Sequence, residues 1–120
     1  MTCPAPRPNI RCIGDALRGV AMKHFLLFYD FVPEYLERRA PLRGDHLEFA
    51  RAAQARGELV LGGALSDPLD GAVILFVGDR GVAERFAEAD PYVQGGLVTA
   101  WRVREWVTVV GEDASTEVRA

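Results

Sequence analysis

The run His24-Phe25-Leu26-Leu27-Phe28-Tyr29-Asp30 constrains this chain more than any other stretch, because it alternates as a strand does and is apolar on both sides. Leu26 and Phe28 fall on one face, and Phe25, Leu27 and Tyr29 on the other. Such a strand needs cover on each face. Ala72-Val73-Ile74-Leu75-Phe76-Val77 repeats the pattern, so the two segments predict the buried middle of a sheet.

The other elements arrange themselves around these two. Pro33 to Arg39 reads as a short helical turn, and Pro41 suits the first turn of a main helix that runs to about Arg56, with Gly57 as its stop. Leu42, His46, Phe49 and Ala53 recur as one stripe of a 3.6-residue period, while Glu48, Arg51 and Arg56 form a solvated face. Leu59 to Leu65 reads as a second strand. The turn Ser66-Asp67-Pro68-Leu69-Asp70-Gly71 then predicts an antiparallel hairpin to the third. Asp79 is a plausible N-cap for a second helix whose inward stripe is Val82, Ala83, Phe86 and Ala87, and Asp90-Pro91 ends that helix. Leu97 to about Val109 is the fourth strand, with Leu97, Thr99, Trp101 and Val103 on one face and Val98, Ala100, Arg102 and Arg104 alternating with them.

Strand, helix, strand, strand, helix, strand is the ferredoxin-like βαββαβ order, an α+β fold with an antiparallel sheet. Two helices cover one face of a four-stranded sheet. The other face would leave an apolar patch larger than the few hundred Å² usual on a soluble monomer, so a second copy is expected to pack there.

A chain of 120 residues is expected to hold one domain, here residues 22–110. Residues 1–21, with Pro4, Pro6, Pro8, Gly14 and Gly19, read as a disordered or loosely docked extension, and 111–120 as a polar tail. The strong strand opening at Met22-Lys23-His24 makes Met22 a candidate biological start. Formal net charge −3 and scattered arginines argue against a nucleic-acid partner. No apolar run approaches the roughly 20 residues that span a bilayer, so no membrane partner is expected. Cys3 and Cys12 sit near the start in no metal-ligand spacing, which points to a reducing, cytoplasmic location. Two histidines without a carboxylate set predict no metal site, and the lack of a GxGxxG or P-loop predicts no nucleotide cofactor.

The chemistry gathers at Ala89-Asp90-Pro91-Tyr92-Val93. Pro91 holds Asp90 extended at the helix exit, where a carboxylate faces the unfavourable end of the helix dipole. Asp90 either stops one helix and caps a short following turn, or meets a partner, and His46 is the partner on offer. With Asp90 orienting it, His46 would be a general base; alone on its stripe it could equally be a core histidine. Arg43, one turn before His46, could anchor a ligand carboxylate or phenolate, or be a surface residue paired with Asp45 or Glu48. Tyr92 could donate to ligand or pack under its turn. Gly62 and Gly63 mark a bulge or leave space open beside a pocket. Tyr29 reads as core or rim, Trp101 and Trp106 as fillers of the sheet interface, Ser66 as a turn residue and His24 as a strand start.

Arg43-Gly44-Asp45-His46-Leu47, Gly62-Gly63-Ala64, and Ala89-Asp90-Pro91-Tyr92-Val93 before Gly95-Gly96-Leu97-Val98 together resemble the YciI-like (YCII-related) family, over about residues 22–110. The resemblance implies a dimeric α+β barrel of two ferredoxin-like protomers and an active site on a His and an Asp, here His46 and Asp90. A few relatives are associated with eliminations such as dehydrochlorination of chlorinated rings. The expected function is therefore cofactor-independent proton transfer, of lyase or isomerase type, on a small anionic or aromatic substrate. Arg43, Gly63 and Tyr92 would bind that substrate. The alternative is a non-catalytic dimer that binds a small ligand or serves as an interaction module.

Overall fold

In the computed structural model, which describes residues 22–116, the two-sided strand becomes β1 (Lys23–Phe31), an inner strand of the sheet. It is flanked by β3 (Gly71–Gly78) and β4 (Val98–Trp106), and β2 (Leu59–Ala64) pairs with the far side of β3. The sheet order is β2-β3-β1-β4, antiparallel throughout, which is the ferredoxin-like arrangement. The expectations for residues 1–21, Cys3 and Cys12 included, and for 117–120 lie outside the described residues.

Between β1 and β2 come α1 (Tyr35–Arg38) and α2 (Ala40–Ala55), and between β3 and β4 come α3 (Arg80–Ala89) and α4 (Pro91–Gln94). Pro41 sits in the first turn of α2, where its missing N–H costs nothing. The helix ends where Gly57 takes φ +83°, and the N–H groups of Gly57 and Glu58 close back on the carbonyls of Gln54 and Ala53. Asp79 caps α3 by accepting from the Val82 N–H at 3.1 Å.

All four helices lie on one side. Phe25, Leu27, Ile74 and Phe76 are buried there beneath Ala83, Phe86 and Ala87, and Phe86 packs its ring against both Phe49 and Phe76. The polypeptide crosses closely at Gly71, where a Cβ would collide with the Tyr29 carbonyl oxygen. On the other side Leu26, Phe28, Val73 and Leu75 are only half-buried, and Leu61 is 70% exposed. Arg102 lays its guanidinium over the Phe28 ring at 4.5 Å, and Leu26, Leu61, Val73, Leu75 and Trp106 border a shallow apolar depression. No helix among the described residues is long and apolar enough to cross a membrane.

Candidate active site

Tyr29 lies near the end of the inward stripe of β1, ahead of Phe31, His46 stands in the middle of α2, and Asp90 forms the joint between α3 and α4. The three side chains meet. Asp90 has φ −66° and ψ 128°, the extended backbone that the following proline favours, and this turns its carboxylate inward to 0% exposure. A carboxylate so buried needs donors, and three converge on it. Tyr29 donates its hydroxyl to Oδ2 at 2.6 Å, the Tyr92 backbone N–H donates to Oδ1 at 3.0 Å, and His46 Nδ1 lies 2.7 Å from the same Oδ1. Asp90 is thus both the cap of α4 and the partner of His46, so the two readings of that residue are both realised.

The geometry fixes the chemistry of the imidazole. An ionised carboxylate only accepts, so Nδ1 carries the hydrogen, and a neutral ring keeps its lone pair on Nε2. His46 remains 15% exposed and lines a hollow of about 450 Å³ between α2 and the β2–β3 edge of the sheet. Its ring lies flat on Tyr92, centroids 3.8 Å apart and planes 4° off parallel, which fixes its tilt. Asp90 is absent from the lining: it supports His46 from behind.

The other residues expected at the site gather around the same hollow. Arg43 is exposed on its wall, Gly63 lies on its β2 side, where a Cβ would meet nothing within 4 Å, and Tyr92 closes one end. Tyr92 is 3% exposed, so its ring packs under the turn, edge-on to Tyr35, and little of its hydroxyl meets solvent. Burial, then the hydrogen bond with Tyr35, pushes that hydroxyl up to about 12, with Arg43 pulling the other way. Burial, and then the charge of Asp90, pushes the Tyr29 phenol far above its ordinary range, so it stays a donor.

Sequence reasoning missed the parts played by Tyr29, Tyr35 and Arg39. Tyr35 stacks on Phe31 at 3.8 Å and meets Tyr92 edge-on, and Arg39 Nη1 donates to the Tyr35 hydroxyl at 3.5 Å. A signal existed for Tyr29, since a tyrosine in an otherwise apolar inward stripe needs a partner for its hydroxyl. Tyr35 and Arg39, four residues apart, lay in a segment that read only as a short helical turn. Among the described residues, no group of three or more His, Cys, Asp or Glu side chains could hold a metal ion.

The model of the YCII-related domain matches residues 22–107. Among solved structures, the chain is similar to 5-chloro-2-hydroxyhydroquinone dehydrochlorinase from Burkholderia phenoliruptrix, in complex with 2,5-dihydroxybenzoquinone. The two are 21% identical, over 71% of this chain and 94% of that one, with a TM-score of 0.60, which is a likeness of fold. A nipsnap family protein of unknown function from Agrobacterium tumefaciens overlaps at 14% identity, over 72% of this chain and 87% of that one, with a TM-score of 0.46. No curated protein matches.

Proposed function

The chain belongs to the YCII-related domain family, and from that premise we propose that it is a small-molecule enzyme in which His46 and Asp90 transfer a proton, in a lyase or isomerase reaction that needs no cofactor. The observation that carries this is the 2.7 Å contact between His46 Nδ1 and a fully buried Asp90, with the imidazole at the wall of an open hollow. His46 Nε2 takes a proton from a substrate carbon or oxygen, and Asp90 stabilises the imidazolium so formed. In an isomerisation the proton returns to another atom of the substrate. In an elimination the C–H electron pair becomes the new double bond and the leaving group departs with its own pair.

The substrate is small and anionic or aromatic: the hollow is walled by Leu47, Ala50, Leu59 and Ile74 and edged with arginine. The dehydrochlorinase that shares the fold carries a name describing loss of hydrogen chloride, a step of the same class, and binds a flat oxygenated ring. Arg43, Gly63 and Tyr92 hold the substrate, and two copies pair through the apolar sheet face as a homodimer in the cytoplasm.

The test compares turnover with binding across a panel of small aromatic acids and chlorinated phenols, for the parent chain, His46→Ala and Asp90→Asn. A general base of this kind contributes about 10²- to 10⁴-fold to rate, so turnover should fall by that factor while affinity holds. If no compound turns over and the substitutions weaken only binding, the protein is a ligand-binding module.

A further inference from the structure

Arg39, Arg43 and Arg51 line the hollow, and no aspartate or glutamate does. Nor does any of the three have a carboxylate partner among the described residues, where the ion pairs are His46 with Asp90 and Arg56 with Glu58. In a chain with 17 acids against 14 Lys and Arg, that bias belongs to the site and not to the composition. Arg39 and Arg43 stand one helical turn apart where α2 begins. The Arg39 guanidinium lies 5.3 Å from the centre of the Tyr35 ring and reaches its hydroxyl, and Arg43 lines the same recess as Tyr92. The two phenols are fixed by their rings, Tyr35 stacked on Phe31 and set edge-on to Tyr92 at 6.0 Å. Two guanidinium groups and two oriented hydroxyls around one recess are the donor set that an ionised oxygen calls for.

We propose that Arg39, Arg43 and the hydroxyls of Tyr35 and Tyr92 form an oxyanion-binding subsite, which takes the carboxylate or phenolate oxygen of a flat ligand. This deepens the reading above by giving the ligand an orientation. Because His46 lies flat on Tyr92 at 3.8 Å, an oxygen held at the subsite places the ring carbons beside Nε2. The anionic end is the handle and the neighbouring C–H or O–H is the group that reacts.

The experiment titrates the full chain with benzoate, 4-nitrophenolate and benzamide, the last a neutral mimic of benzoate, and reads affinity by calorimetry and by NMR shifts of the His46 ring. Benzoate or nitrophenolate should bind about tenfold or more tighter than benzamide, and Arg39→Gln and Arg43→Gln should each remove about that factor. The tighter of the two anions identifies the oxygen as carboxylate or phenolate. Arg85→Gln, on α3 and away from the hollow, controls for net charge and should change nothing. Equal affinity for benzoate and benzamide, no binding of either anion, or unchanged affinity in both Arg variants overturns the subsite. His46→Gln keeps the two claims apart. Anion binding by both the parent chain and that variant, with no turnover by the parent across the panel, leaves the subsite and removes the catalytic reading; turnover by the parent that the variant loses, without charge-selective binding, does the reverse.

Discussion

Asp90 shows how one side chain can hold two helices and a neighbouring imidazole in place at once. It terminates α3, caps α4 and fixes the tautomer of His46, and all of this depends on the donors around it. Tyr29→Phe leaves Oδ2 buried without its phenol, which should cost about 1–3 kcal/mol, seen as a lower urea midpoint at unchanged slope. The phenols also set the behaviour of the protein in alkali. Below pH 10 the Tyr92 hydroxyl is protonated folded and unfolded, and its contribution is fully present. Above the ordinary phenol value near 10 the unfolded chain ionises first, so stability falls as pH rises towards about 12, where the folded form ionises too. Tyr29 adds to the same loss. With Lys23 the single lysine, phenols dominate this range, and Tyr92→Phe should flatten the fall in unfolding midpoint above pH 10. His46 and Asp90 could be singled out from sequence because each carries a local mark, a helical stripe and a following proline. Tyr29 carries no mark on β1 that tells where its hydroxyl ends.

At the scale of elements, the site depends on two junctions, the start of α2 and the bend from α3 to α4. Asp79→Ala removes the cap that holds the first turn of α3 and should cost about 0.5–2 kcal/mol, measured as a lower thermal midpoint with the sheet retained. The boundaries of α2 and α3 were readable because proline, glycine and aspartate mark them chemically. The depth of α2 was not. Its stripe of Leu42, His46, Phe49 and Ala53 faces inward as the period requires, yet only Ala53 is fully buried. α2 meets β2 and α4 and leaves the hollow beneath its middle. Periodicity gives the direction of a side chain, and the packing of the remaining elements decides how far in it goes.

For the molecule as a whole, the second apolar face of the sheet is the feature a single chain leaves unfinished. Pairing through it should give a particle of about twice 13.2 kDa in sedimentation, and Leu75→Glu should return it to monomer with its helical signal intact. The apolar second face itself was legible in the residues of β1 and β3 alone, since both alternating sets are apolar. Leu61, Gly62 and Gly63 border the hollow beside His46 and the outer depression alike. Anything that stiffens this shared rim acts on both at once. If two copies pair through the outer face and the hollow takes a small molecule, linkage makes the two events reciprocal: whatever factor occupancy adds to or takes from pairing, pairing adds to or takes from the grip on that molecule.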